Sequence, residues 1–378
     1  MPFTIAHATQ AVGTDAGNGE IRKAQWNENH TPTFTSSFLR NRIINGDMRI
    51  DQRNEGASVS VSSDGVSFFG VDRTFATKST TGVFSVQRST TAPNNFSYSL
   101  KATVTTADAA VAAGDYAAII QYIEGYNVAD LAFGTANAQT VTLSFWVQSS
   151  LTGTYAVSIC NATGARTYVA TYTVNSANTW EYKTVTIAGD TTGTWATDNT
   201  TGLAVRFGLM AGSTFQQTAG SWGTTNALGT SATVNWMGTL SNTFYVSGVQ
   251  LEVGSTATAF ERRPYAQEAY LCQRYYQKSY EDVVPATATT NGYVACCCAA
   301  PSGFGGGFSF PVAMRASPTF SYWDSAGNAS RSGYYNTAWV TNNNFFSTVA
   351  MTKKSGYFVV NVGISATLFI HYTAEAEL

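Results

Sequence analysis

Charge is what this chain has least of. Only 12% of its 378 residues are Asp, Glu, Lys or Arg, and the formal net charge is −2. No basic field exists to neutralise phosphates, which argues against nucleic acid as the main partner. The Arg40/Arg42 and Arg262/Arg263 clusters suffice for local pairing alone. Histidine is almost missing too. His7, His30 and His371 stand singly, outside any H-E-x-x-H constellation, and no G-x-S-x-G or Walker pattern occurs. GFGGGF at 303–308 lacks a following Lys-Ser/Thr, so it reads as a turn and not as a phosphate cradle. Cysteines are few and odd in number: Cys160, Cys272 and the run Cys296-Cys297-Cys298. That count, without a signal peptide, reads as reduced thiols, and the triplet lacks the C-x-x-C spacing of zinc sites. No apolar run reaches the length needed to span a bilayer, so no membrane insertion is expected. The N-terminal MPFTIAHATQAVG has no basic region followed by a sustained apolar run, so synthesis in a cytosol is expected.

What fills the chain is β-forming residue and turn. Hydrophobics make up 44%, with 20 Tyr, 22 Phe, 8 Trp and 33 Gly. The composition is that of a mostly β protein, with two or three domains for its length. Residues 1–37 carry turn-formers and no sustained periodicity, yet include the apolar anchors Trp26 and Phe34. From Phe38, Ile43-Ile44, Asn45-Gly46-Asp47 and Met48-Arg49-Ile50 read as strand, tight turn, strand. Strand runs follow at 84–90, 98–104, 116–125, 140–149, 154–162, 167–174, 180–189, 203–212 and 242–253. Their spacing suits a two-sheet sandwich over 38–263.

The stretch 248–276, GVQLEVGSTATAFERRPYAQEAYLCQRYY, joins two blocks. Val249, Leu251 and Val253 alternate with Gln250, Glu252 and Gly254 like a half-buried strand. Pro264 then opens a helix over 264–281, with Tyr265, Ala269, Cys272, Tyr276 and Tyr280 on one face. Short strands between Gly and Pro turns fill 282–378, a small second sandwich.

Several of these motifs resemble segments of tail-fibre and appendage proteins of tailed bacteriophages. They are W-N-E-N-H-T at 26–31, I-N-G-D-M at 44–48, D-R at 72–73, TLSFWVQS, VSGVQLEVG, the 248–276 stretch, Phe308 to Thr319, and the terminal TAEAEL. The resemblance implies a virion location and a carbohydrate-binding-module-like jelly roll at 38–263. It implies a docking segment at 1–37, where Trp26, Asn27 and His30 meet tail, baseplate or portal-proximal proteins. A homotrimer is implied as well, with Tyr265, Cys272 and Tyr276 as assembly residues in a short neck. The function implied is adhesion to host surface glycans. A head or collar fibre is the structural alternative, and a polysaccharide depolymerase the enzymatic one.

Sugar binding uses exposed aromatic faces flanked by Asn, Asp or Gln. Two regions offer them: Trp195, Trp222 and Trp236, and the terminal set Tyr322, Trp323, Asp324, Tyr334, Tyr335 and Trp339. Tip domains of fibres meet the host, so the terminal set is preferred. Glycoside cleavage needs two carboxylates across a sugar. Asp115 with Glu124, or Asp190 with Asp198, sit near turns where acidic residues are ordinary, so no catalysis is expected. Asp47 and Glu252 match positions where such jelly rolls hold a structural calcium. The simpler and preferred reading has Asp47 closing its turn and Glu252 pairing with Arg262 or Arg263; no cofactor is expected.

Overall fold

The computed structural model describes residues 40–280, 294–298, 305–324, 326–336, 338–343, 346–360 and 366–378. For 294–298, 305–306 and the strands within 332–349 and 358–369 it describes the backbone only. Trp26, Asn27 and His30 lie outside the described residues. The first strands are β1 Val59–Val61, β2 Phe68–Val71, β3 Thr74–Ser79, β4 Val83–Ser89, β5 Ser99–Thr106 and β6 Tyr116–Glu124. After these come β7 Val141–Ser149, β8 Gly153–Cys160, β9 Thr167–Val174 and β10 Glu181–Ile187. The set closes with β11 Thr201–Ala211, β12 Trp222–Gly223 and β13 Thr243–Val253. Nine of the expected runs coincide with strands to within two residues.

Two antiparallel sheets face each other as a jelly-roll sandwich. One has the order β1-β4-β5-β13-β7-β10, the other β12-β9-β8-β11-β6-β3-β2. Alternation decides what each strand buries. Val141, Leu143, Phe145 and Val147 of β7 point inward and are fully buried, as are Leu203, Val205 and Leu209 of β11. Trp236 packs edge-on against Phe84 at 5.8 Å and is 0% exposed.

Two local expectations fail for a shared reason. Residues 43–50 form no hairpin; they are an irregular buried loop in which Asn45 and Met48 take positive φ. The Asn45 side chain replaces the ladder bonds, donating to the Ile50 and Asp72 carbonyls at 2.8 and 3.0 Å and accepting from the Ile50 amide at 2.9 Å. A Cβ on Gly46 would meet the Val249 carbonyl at 2.2 Å, so the loop lies directly on β13. The polar side of β13 is also covered. Gln250 and Glu252 are buried because residues 254–262 fold back over them, with the Glu261 amide donating to Gln250 at 2.7 Å.

The helix expected over 264–281 is shorter: α1 spans Tyr265–Gln273, with Pro264 just before its first turn, and the chain then enters β14 Tyr276–Lys278. Beyond it are β15 Val294–Cys298, β16 Gly305–Ser309, β17 Thr319–Trp323, β18 Ser332–Asn336 and β19 Ala338–Asn343. Then come β20 Phe346–Met351, β21 Ser355–Val360 and β22 Ala366–Glu375. The long β22 pairs with β14, β15, β17 and β18, and a second sheet runs β16-β21-β20. Phe308 and Phe310 meet Phe320, Tyr372 and Met314 in the core between these sheets. The side chains of Cys296, Cys297 and Cys298 lie outside the described residues; Cys160 and Cys272 are buried thiols. His371 is fully buried on β22 beside Tyr280. Among the described residues, no helix is long and apolar enough to cross a membrane.

Asn41–Leu378 belong to one compact unit, joined where β14, α1 and the last residues meet the jelly roll. Arg274 grips Glu124 at the end of β6 with two bonds, 2.6 and 2.9 Å, and the Tyr275 hydroxyl adds a third at 2.8 Å. Arg73 reaches Glu377 and lies 3.5 Å above the Tyr275 ring. Arg315 donates to the carbonyls of Asn199, Ala376 and Glu377, each within 2.8 Å. Tyr276 and Cys272, expected to meet sister chains, are 6% and 1% exposed. They are consumed by this internal junction. Tyr265 stays 62% exposed.

One acid-side effect belongs to the jelly roll. Burial alone would raise the Glu181 carboxyl, but the Lys183 ammonium and N–H donors from Ser176 and Asn175 outweigh it and bring it down to about 2. A depressed carboxylate contributes stability above its ordinary value of 4.5 that is lost as pH falls toward about 2. Glu181 sits on edge strand β10, where water screens it, so we expect about 1 kcal/mol. Glu181→Gln should therefore trail the parent near neutral pH and draw level in acid, measured by urea denaturation. A gap that does not narrow on acidification would refute this origin.

Candidate functional site

The outer face of the seven-stranded sheet carries a groove of ≈ 360 Å³. Alternation puts Tyr116, Ile120 and Tyr122 of β6 on this face, with Phe75 and Thr77 of β3 beside them. Cys160 of β8 and Arg206 of β11 form the floor. Phe69, Phe75 and Tyr122 make a row of rings, with centroids 5.6 and 5.3 Å apart. Tyr116 meets Phe215 edge-on at 4.9 Å. The row ends at Arg53, whose guanidinium is held between Phe69 and Tyr276 at 4.0 and 3.9 Å, so the junction closes one end of the face.

The opposite wall is the segment 212–230. The Leu228 amide bonds the Phe215 carbonyl at 2.8 Å and the Gln217 amide bonds Gly229 at 3.1 Å. This wall lies so close to β11 that a Cβ on Gly208 would come within 2.1 Å of the Leu228 carbonyl. Only glycine leaves room for it.

Arg206 gives the floor its electrostatics. It is 5% exposed, and its guanidinium donates to Ser158 Oγ at 3.1 Å, the Ala227 carbonyl at 2.8 Å, Thr167 Oγ1 at 3.5 Å and Asn226 Oδ1. All four acceptors are neutral. Burial lowers the pKa of Arg206. No Asp or Glu lines the groove.

A wider groove of ≈ 820 Å³ lies on the other sheet, between Trp146, Tyr182, Phe96, Phe260 and Arg262. Its rings, like those of the first groove, pack on one another. Phe96 and Phe260 meet edge-on at 5.2 Å, Arg262 lies 4.5 Å over Phe96, and Trp146 packs with Tyr182 at 5.3 Å. Gly248, at φ +61°, makes space for Phe96 and Trp146. This groove is the seam under the 254–262 strap.

The residues singled out from sequence fall elsewhere. Trp236 is core. Trp195 and Trp222 are half-buried and meet each other at 5.4 Å and Phe133 at 4.9 and 5.7 Å. Their indole N–H groups are spent on the Thr192 and Ala188 carbonyls, so the pair plugs one edge of the sandwich. Asp324 is fully buried and accepts from Ala326, Asn328 and the Asn328 amide of its own turn. Half-buried Tyr322 and Trp323 lie against Phe320 and Tyr280. Tyr335 stands opposite Trp339 in the β18–β19 register, and Tyr334 opposite Val340; the side chains of Tyr334, Tyr335 and Trp339 lie outside the described residues. The structure thus brings together Phe75, Tyr116, Tyr122, Arg206, Phe215 and Asn226, which sequence reading passed over. Two signals were present: the i, i+2 series Tyr116–Ala118–Ile120–Tyr122, and a lone Arg inside the apolar run LAVRFGLMAG.

At the two positions weighed for calcium, Asp47 Oδ2 is engaged by Arg49 at 2.5 Å while its Oδ1 is buried without a hydrogen-bond partner, and both oxygens of Glu252 accept from Thr258, at 2.8 and 2.6 Å, with Gln250 adding a third donor. Thr258 and Gln250 thus supply the donors that Arg262 or Arg263 was expected to bring to Glu252, while Arg263 pairs with Glu268 and Glu261. Among the described residues no cluster of three or more His, Cys, Asp or Glu could hold a metal. The carboxylates weighed for glycoside cleavage are also engaged: Glu124 by Arg274, Asp190 by Arg166 at 2.7 Å, Asp198 by Thr200 and Asp115 by the Ala112 amide.

No known family's sequence profile matches the chain, and no curated protein matches it. Similar solved structures include a family 22 carbohydrate-binding module of Clostridium thermocellum, at 11% identity and TM-score 0.30, covering 59% of this chain and 100% of that one. A family 11 module from the same organism, in complex with a mixed-linked tetrasaccharide, gives 13% and 0.27, covering 53% and 98%. TmCBM61 in complex with beta-1,4-galactotriose gives 8% and 0.27, covering 57% and 99%. Likeness at this level carries no argument about what this chain binds.

Proposed function

We propose that this protein is an adhesin of a tailed-phage virion that holds a surface glycan in the groove over β6 and β11. The observation that carries the reading is the groove itself: aromatic rings along its sides, Thr163, Arg206 and Asn226 as polar groups among them, and no Asp or Glu among its lining residues. The half-buried rings of Tyr116 and Tyr122 would offer apolar faces to the C–H side of a pyranose, while Asn226 and Thr163 offer polar atoms to hydroxyls. Cleavage by an acid–base pair has no candidate residues in this groove. The virion context rests on the sequence motifs, as do docking through Trp26, Asn27 and His30 and assembly as a homotrimer, for which Tyr265 and Tyr270, 62% and 58% exposed, are available on α1. Weak single sites multiplied over three chains would then act through avidity.

The test uses surface polysaccharide from candidate host bacteria, immobilised, with purified protein as analyte. Tyr122→Ala should weaken binding about tenfold, the loss of roughly 1.4 kcal/mol, with its melting transition retained. Unchanged affinity in that variant would remove the groove from the glycan contact.

A further inference from the structure

We infer that the ligand held in this groove carries a carboxylate, as a uronic or other acidic sugar does, and that Arg206 is the residue that recognises it. The inference rests on the glycan-binding reading above and adds the chemical class. Burying a cation is costly unless an opposite charge or a full set of acceptors compensates it. Arg206 has no carboxylate partner among the described residues, and its five N–H groups meet four neutral acceptors. It is the sole cation among the groove's lining residues, and no Asp or Glu is among them.

One of those acceptors is exchangeable. Asn226 is an exposed residue whose side chain rests against Gly164 and whose oxygen accepts from Nη1 of Arg206. The remaining partners, Ser158, Thr167 and the Ala227 carbonyl, belong to the sheet and the wall and fix the plane of the guanidinium. A ligand carboxylate that displaces Asn226 would exchange a neutral acceptor for a charged one, and charge-assisted bonds of this kind are roughly twice as strong. The planar fork suits a carboxylate, and a single cation balances a monoanion. A phosphate monoester, close to a dianion at neutral pH, would leave excess negative charge in a groove whose lining has no second cation, so a carboxylated sugar is favoured over a phosphomonoester. Asn226 thereby acts as a neutral placeholder that keeps the floor satisfied while the groove is empty.

The experiment pairs each member of a panel of acidic bacterial polysaccharides with its carboxyl-reduced counterpart. Neutral and phosphorylated polysaccharides complete the panel, and binding of the full chain is measured at low and at physiological salt. We expect at least one acidic member to bind more than tenfold tighter than its reduced form, with a preference that shrinks at higher salt. Arg206→Gln should erase the preference, and Arg206→Lys should restore part of it. Binding that survives carboxyl reduction overturns the inference and leaves adhesion standing. A preference for the phosphorylated members also overturns it. No binding to any member, acidic or neutral, overturns both. The wild-type comparison decides the matter even if the Arg206 variants fold poorly.

Discussion

Arg274→Ala is expected to lower unfolding stability by about 2–3 kcal/mol, because it strands a buried carboxylate while the Arg274 side chain itself is 32% exposed and partly screened. Glu124 is 1% exposed at the side chain and takes two bonds from Arg274 and one from Tyr275. Without Arg274 the carboxylate keeps only the tyrosine hydroxyl. Its other donors would have to be water, in a junction already filled by Cys272 and Tyr275. Lysine at 274 should recover part of the loss, because it restores the charge without the two-pronged geometry. Glu124→Gln in the Ala background should also recover part, since it removes the stranded charge; that non-additivity marks a coupled pair. Denaturant midpoints for the parent, both singles and the double variant supply the measurement. A single-variant loss under about 0.5 kcal/mol, the level of an ordinary surface change, would mean that water already solvates the junction and that Arg274 does not lock it. The consequence reaches the groove. Strand β6 carries Glu124 at its end and Tyr122 just before it, and Arg73 donates to the Tyr122 carbonyl at 2.7 Å.

Gly208→Val should abolish glycan binding while the sandwich still folds. A single Cβ at this position already lies 2.1 Å from the Leu228 carbonyl, on backbone that has no rotamer to escape into. The wall must therefore lift. Lifting moves the Ala227 carbonyl and Asn226 away from Arg206 and carries Phe215 away from Tyr116, which takes apart floor and wall together. Overpacking of this size costs about 1–3 kcal/mol, which the large core of the jelly roll can absorb. Affinity for the host polysaccharide should fall by more than tenfold, with melting still cooperative. Retained affinity would show that the wall at 212–230 takes no part in binding.

Much of this architecture was legible in the residues. The strands of the jelly roll follow from period-two alternation, because a strand facing a core on one side must place an apolar group at every second position. The run TLSFWVQS shows this, with Leu143, Phe145 and Val147 buried in turn. Alternation fails at Gln250 and Glu252. Burial there comes from a strap six or more residues along the chain, which no local period encodes. The Asn45-Gly46-Asp47 signal misled for a similar reason: its asparagine bonds across a loop to Ile50 and Asp72 instead of closing a two-residue turn. The tyrosine stripe suggested a longer helix, yet β22 offers Tyr276–Lys278 a strand partner and the helix stops at Gln273.

The aromatics divide along the same line. Tryptophan among Gly and Thr drew attention to Trp195, Trp222 and Trp236, but a large ring in a loop is as useful for closing a sandwich as for meeting a sugar. Composition and alternation by themselves determined a charge-poor β protein with two sandwich-like parts, because those properties depend on each residue and its near neighbours. Only the tertiary structure decided that the segment from Gly248 to Tyr276 is an internal lock, and that the groove is assembled from β3, β6, β8, β11 and a loop at 212–230. The partners in these contacts are far apart in sequence: Arg73 with Glu377, Glu124 with Arg274, Arg206 with Asn226 across one sheet face. Their meeting is set by strand order and register, which local pattern leaves open.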